Sequence, residues 1–181
     1  MPRIKIPLVF DTIDAKFDDL WAPLRTSKKL DALFYTASEV GDFGMIWLAI
    51  VAVDAAVGPA SRTHHAIRMV GALGLESVLV NGMIKSLFRR ERPEWNQERP
   101  LHLRKPRTSS FPSGHTSSAV AAAILLTHSY PKAVSPAIWG LAGIVGLSRV
   151  HVKIHHITDV AGGVLVGALY GTAVNYLVPL R

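Results

Sequence analysis

Five apolar segments, at roughly 42–58, 64–90, 114–130, 133–150 and 157–178, constrain this chain more than any other feature. They are long for strands, and turn signals separate them: Gly58-Pro59, the Pro-rich basic stretch 93–112, and Pro131 with Pro136. Composition agrees: 49% of residues are apolar, mean hydropathy is +0.27, and charged residues make up 18%, below the ~25% usual for soluble domains. Asp54, Glu76, Asn81 and Asn175 interrupt the segments, so the helices must hide polar groups against one another. The expected fold is all-α, a multi-span transmembrane bundle of five or six membrane helices in one domain.

Two amphipathic stretches precede the bundle. Ile13, Phe17, Leu20 and Leu24 recur at helical spacing, and Leu30, Leu33, Phe34 and Ala37 repeat the pattern. Neither reaches the ~20 apolar residues a span needs, so both read as helices at the interface or against the bundle. The expected division is 1–41 for these helices and 42–181 for the membrane-embedded part. Residues 1–10 lack a long apolar core and a small-residue cleavage site, so no removable signal peptide is expected. Gly163, Gly167 and Gly171 form a small-residue stripe that admits another helix closely, including that of a second copy in a homo-oligomer. Without cysteine, neither a disulfide framework nor a thiolate metal site is available. The net charge of +7 suits nucleic acid, anionic lipid or an anionic substrate, and the apolar segments favour the last two.

Three clusters carry the chemistry: Lys85–Pro93 (KSLFRRERP), Pro112–His115 (PSGH) and Ser148–Asp159 (SRVHVKIHHITD). If the five helices alternate across a membrane, the ends of the second and fourth share a face with the starts of the third and fifth. All three clusters then converge on one face.

In the last cluster, Asp159 follows His155 by four residues and His156 by three, so either histidine can share its face. A carboxylate on one ring nitrogen leaves the other free as a nucleophile. The spacing of His151 and His155 also suits a metal, although Arg149 and Lys153 place cations beside it and no glutamate stands between the histidines as in HExxH. A solvated His-rich loop is the third reading. In the middle cluster, Ser113 is a candidate helix cap and Gly114 permits close backbone approach at a helix start, where unpaired N–H groups favour anions. His115 stands at the rim of that site, placed to give a proton to a leaving oxygen. In the first cluster Lys85 and Arg92 lie about two turns apart, and Pro93 turns the chain away. Lys85, Arg92 and Arg149 can hold phosphate oxygens without a metal. Arg89 and Arg90 read better as ordinary positive flanks of a membrane helix.

KSLFRRERP fits Kx6RP, PSGH is complete, and SRVHVKIHHITD fits SRx5Hx3D. On these motifs the chain resembles the type 2 phosphatidic acid phosphatase superfamily of membrane lipid phosphatases. The resemblance implies a metal-independent hydrolase in which His155, rather than His156, is the phosphorylated nucleophile and Asp159 orients it. It implies that His115 protonates the leaving lipid oxygen and then activates water. Lys85, Arg92, Ser113, Gly114 and Arg149 would bind phosphate, and Ser148 belongs to the motif with a less certain role. It implies no cofactor; the expected partners are a lipid phosphate and membrane lipids, with no nucleic acid. Relatives commonly have six spans, and here the amphipathic segments stand where the first would be.

Residues 94–111 form a long loop bearing Trp95, Arg99, Arg104, Lys105, Arg107 and Phe111, suited to an anionic headgroup or to anionic lipid. Glycerolipid phosphates, undecaprenyl diphosphate and polyprenyl-phosphoryl sugar phosphates are the candidate substrates. The brevity is similar to small bacterial members, including decaprenylphosphoryl-5-phosphoribose phosphatases. Outside the motifs, thirteen Lys/Arg fall on the motif face if 1–42 lies there, against Arg62, Arg68, Lys132 and Arg181 opposite. The positive-inside rule then turns the active site to the cytoplasm of the cell membrane. A vanadate-dependent haloperoxidase shares the anion-binding motifs, but its members are soluble and much longer. A non-catalytic lipid-phosphate-binding protein would not need the complete acid, nucleophile and orienting set.

Overall fold

The computed structural model describes residues 4, 7–95, 103, 106 and 108–179. Arg99, Arg104, Lys105 and Arg107 of the basic loop lie outside these residues. The described chain is helical: α1 (Leu8–Trp21), α2 (Lys28–Val40), α3 (Met45–Val57), α4 (Ser61–Ser77), a π-helical stretch (Val78–Ile84), α5 (Lys85–Leu87), α6 (Gly114–Ser129), α7 (Ser135–His151) and α8 (Ile157–Leu177). The only extended pairing among described residues is Ile4 against Phe88.

Helix α6 is the axis of the bundle. Between Gly114 and Leu126 every residue except His115 and Ile124 is buried, because short side chains (Ser117, Ala119, Ala121, Ala122, Ala123) let neighbours close in on all sides. It packs on α8, α7 and α4, and with Trp47, Val51, Met69, Leu73 and Val145 it builds the core. The Gly163/Gly167/Gly171 stripe of α8 faces α6 of the same chain. A Cβ on Gly171 would lie 3.1 Å from Ala121 Cα, and one on Gly163 or Gly167 would strike the backbone of Ser113 or Ser117. The close-packing expectation is met inside one molecule. The stripe expected to serve a homo-oligomer is occupied by α6 of the same chain.

Among the described residues, three helices are long and apolar enough to cross a membrane: Ser61–Leu87 (27 residues), Lys132–His151 (20 residues) and Ile157–Leu177 (21 residues). Lys28–Val40 and Asp42–Val57, bent by 64°, bring the number to four if they form one broken span. Five or six were expected, and two of those helices do not reach this length. Helix α6 has 16 residues and α3 has 13, below the ~20 that cross hydrocarbon. The outer surface is apolar nonetheless, with Val53, Val57, Ile67, Val70, Leu165 and Leu169 exposed on α3, α4 and α8.

The amphipathic N-terminal helices are present. On α1, Val9, Ile13 and Leu20 are exposed, while Asp14 is buried against the start of α8. The apolar stripe thus faces outward and a carboxylate faces in, an arrangement suited to lying along a membrane surface. Helix α2 packs on α7 and buries Phe34, Tyr35, Ala37 and Ser38. At the bundle end away from the three clusters, Tyr130 Oη donates to Asp54 Oδ2 at 2.6 Å. There too Arg68 Nη2 donates to Asn175 Oδ1 at 2.8 Å. Two of the four polar interruptions are paired in this way; Glu76 and Asn81 border a cavity, where Asn81 Nδ2 donates to Ser77 Oγ at 3.2 Å.

Candidate active site

The three motif clusters meet around a cavity of about 700 Å³, which Lys85, Gly114, His115, Arg149 and His155 all line. Each element ends so as to bring its residue there. Helix α7 is closed by Lys153 in the left-handed region (φ 50°), so that the N–H groups of Ile154 and His155 both return to the Arg149 carbonyl, at 3.1 and 3.0 Å. This wrap sets His155 directly over the end of α7. Lys153 Nζ is held 3.0 Å from Asp18 on α1. Helix α8 opens with a capping box: Asp159 Oδ2 accepts from the His156 backbone N–H at 2.8 Å. The same carboxylate oxygen lies 3.5 Å from His155 Nδ1. The ring of His156 turns the other way, 4.0 Å from Asp14. The Asp159 side chain therefore faces the His155 ring and only the backbone of His156.

Arg92 Nη1 lies 3.3 Å from His155 Nε2 and donates to the Ile154 carbonyl at 2.9 Å. Arginine only donates, so Nε2 presents its lone pair and the ring proton sits on Nδ1, toward Asp159. Burial, together with the Arg92 and Arg149 guanidiniums and against Asp159, holds the His155 ring well below the ordinary value of 6.5. Neutral imidazole with an open Nε2 is the nucleophilic form.

His115 follows the start of α6, where Ser113 caps Thr116 N–H at 3.4 Å. Its Nε2 lies 3.0 Å from Asp42 Oδ1 and 3.2 Å from the Ser38 carbonyl. Both partners accept, so this nitrogen carries a proton. Gly41 makes room for the ring: a Cβ there would lie 3.1 Å from His115 Cδ2. Arg149 donates to Ser38 Oγ from within the bundle, so one residue of α2 touches both the histidine and the arginine. Lys85 follows the π-helical stretch, a wider turn that occurs frequently at functional sites. Of the nine residues expected in the site, five line the cavity. Arg92 and Asp159 bracket the His155 ring. The hydroxyls of Ser113 and Ser148 are buried in local bonds, that of Ser148 donating to the Val145 carbonyl at 2.6 Å.

Two expectations are corrected. Arg90 is no solvated flank: its side chain is 7% exposed, donates to Asp159 Oδ1 at 2.6 Å and Thr158 Oγ1 at 2.7 Å, and pairs with Asp14. His151 does not join His155 and Asp159. It accepts from Trp21 Nε1 at Nδ1 (3.2 Å), and its Nε2 lies 2.9 Å from Asp31. Sequence reading also missed Ser110, fully buried, which donates to Asp159 Oδ2 at 2.5 Å. Asp14, Ser38 and Asp42 were missed as well. Only the Asx/Ser positions beside amphipathic helices hinted at them, and no spacing linked them to the motifs.

The family model of the PAP2 superfamily matches residues 65–181. The chain is 31% identical over 138 residues to decaprenylphosphoryl-5-phosphoribose phosphatase of Mycobacterium tuberculosis, covering 76% of this chain and 75% of that one. It is 36% identical over 126 residues to the Mycolicibacterium smegmatis protein of the same name, covering 70% and 67%. Its fold superposes on the crystal structure of a transmembrane PAP2-type phosphatidylglycerolphosphate phosphatase from Bacillus subtilis with TM-score 0.67 at 22% identity, covering 96% of each chain. With its apolar bundle and phosphate-motif residues gathered at one end, the chain belongs to the PAP2 superfamily and is a membrane-embedded lipid phosphate phosphatase.

Proposed function

We propose that the protein hydrolyses a phosphomonoester of a lipid-linked sugar by way of a phosphohistidine at His155. The observation that carries this reading is the His155 ring: its Nε2 faces Arg92, its Nδ1 is backed by Asp159, and it opens on the cavity shared with Lys85, His115 and Arg149. In the first step Nε2 attacks phosphorus, the N–P bond forms, and the P–O bond to the lipid-linked group breaks. His115, as the imidazolium paired with Asp42, gives its Nε2 proton to the departing oxygen, which takes the place of one of the ring's present acceptors, and the ring is left neutral. In the second step water attacks phosphorus, His115 takes up the water proton, and the N–P bond breaks to release inorganic phosphate. Lys85, Arg92 and Arg149, with the backbone at Ser113 and Gly114, hold the charge of the transferring group.

The mycobacterial relatives support a polyprenyl-phosphoryl sugar phosphate as substrate. The charge balance of the loops supports a cytoplasmic active site. Phosphate release from a panel of prenyl, glycerolipid and sugar-linked lipid phosphates tests the chemistry, and His155→Ala abolishes it on this reading. Cysteines at Glu94 and Ser61 test sidedness: in whole cells an impermeant reagent labels only Ser61→Cys. Labelling of only Glu94→Cys contradicts the orientation.

A further inference from the structure

Glu76 is the acid that the mechanism leaves unused. Its side chain is 1% exposed, it borders the cavity of the active site, and its Oε1 has no hydrogen-bond partner among the described residues. It precedes Lys85 by nine residues on the continuous helix Ser61–Leu87, so it lies deeper in the bundle than the Lys85 end of that helix. A carboxylate at that depth is costly unless it faces water or a donor. The acid at the far end of the bundle, Asp54, is already matched by Tyr130 and Arg62. Glu76 has the Ser117 hydroxyl and the Lys85 ammonium as neighbours, and it borders the cavity that the phosphate-site residues share.

The neighbours of Glu76 fit one ligand chemistry. Asn81 and Ser118 line the same cavity, and Gly114 leaves room for Asn81, whose Oδ1 would lie 2.9 Å from a Cβ there. Leu73 and Phe43 give the lining an apolar portion. Ser118 Oγ already donates to the His115 carbonyl at 3.1 Å and Asn81 Nδ2 to Ser77 Oγ at 3.2 Å, so the carboxylate and the hydroxyl accept from vicinal hydroxyls and the amide accepts or donates with its second N–H, while apolar side chains suit the C–H face of a sugar ring. Phosphatidic acid and a plain prenyl phosphate bring no alcohol hydroxyl to Glu76.

We propose that Glu76, with Asn81 and Ser118, forms a hydroxyl-binding subsite for the sugar unit that carries the scissile phosphate. This rests on the phosphatase reading above and adds to it the residues that select a hydroxylated substrate over a plain lipid phosphate.

The test uses the full chain in detergent micelles and three substrates: a farnesyl-phosphoryl pentose 5-phosphate, its analogue lacking the pentose hydroxyls, and phosphatidic acid. Glu76→Leu lowers kcat/KM for the pentose phosphate about ten- to a hundredfold, the worth of a hydrogen bond to a charged group. Turnover of phosphatidic acid changes less than twofold and reports that the variant is folded. For wild type, the analogue loses a similar factor, and it is insensitive to Glu76→Leu. Glu76→Gln falls in between. Equal losses on all three substrates assign Glu76 to chemistry or folding and overturn the subsite. So does no loss on any, or a wild type that turns over the analogue as well as the parent. A His155→Ala protein of wild-type rate overturns the phosphohistidine instead, and leaves the substrate contrast to judge Glu76 alone.

Discussion

Arg90 Nη1 stands 2.6 Å from Asp159 Oδ1, and the same guanidinium pairs through Nη2 with Asp14 on the N-terminal helix. The link runs from α1, lying along the outside of the bundle, to the carboxylate behind the His155 ring. Asp14 is fixed in turn by Thr158, whose backbone N–H and hydroxyl both donate to its Oδ1 at 3.0 Å. Arg90 thus sets where Asp159 stands, and through it the orientation of His155. It is a positioning residue, since Asp159 lies between it and the ring.

Removing the cation leaves two buried carboxylates facing each other. Arg90→Ala lowers stability by about 3–5 kcal/mol, the cost of breaking a buried pair. It lowers kcat about a hundredfold, the effect of a misplacement of about 1 Å. Arg90→Lys recovers part of both, because one ammonium cannot reach Asp159, Thr158 and Asp14 together. Thermal melts and steady-state kinetics on the two variants check this; a full loss of activity in Arg90→Lys without loss of stability contradicts a positioning role.

Asp42 and His115 form a second pair of this kind, at 3.0 Å. On the proposed mechanism the carboxylate keeps a proton on Nε2 and stabilises the imidazolium that protonates the leaving oxygen and forms again when water is activated. Asp42→Asn lowers kcat about tenfold, part of the ~10²–10⁴ that general acid–base catalysis contributes. KM stays within about twofold on this account, and a rise in KM with unchanged kcat would place Asp42 in binding instead.

The His155 ring resists protonation, with a consequence for stability. The folded ring stays neutral below the ordinary value of 6.5, whereas the unfolded chain takes up a proton there. The contribution of His155 to stability is therefore present above pH 6.5 and is lost as pH falls below it. Ring-proton NMR of the empty enzyme shows His155 neutral at pH 6.5 on this account; half-protonation at or above that pH contradicts it.

The glycine stripe predicts a contrast within the bundle. A Cβ on Gly167 meets the Ser117 backbone, while one on Gly140 or Gly143 of α7 meets nothing within 4 Å. Gly167→Ala destabilises by about 1–3 kcal/mol, the usual cost of overpacking. Gly140→Ala is neutral or stabilising by up to about 1 kcal/mol through helix propensity. Melting temperatures of the two variants in one detergent decide this.

The sequence carried the placement of the site well, because alternation of helices and motif spacing are one-dimensional signals. Lys85, His115, Arg149 and His155 end on one cavity as the alternation required. The capping box that fixes Asp159 is likewise local, spanning His156 to Asp159. Arg90 was misread because a flanking arginine and a buried one look alike until the partner is known. Its partners stand 69 and 76 positions away, on helices whose apolar pattern gives no sign of it. Span number is not fixed by the apolar pattern, for a related reason. Apolarity marks α6 as buried, but protein buries it as well as lipid would.

The central claim is a covalent bond between phosphorus and His155 Nε2. A single-turnover reaction with substrate labelled with ³²P at the terminal phosphate, quenched in base and mapped by peptide and fragment analysis, tests it directly. The account predicts transient label on His155, none in His155→Ala, and accumulation of label in His115→Ala with a good leaving group. Label on His156 or His115, or phosphate released at the wild-type rate with no labelled protein, would contradict it.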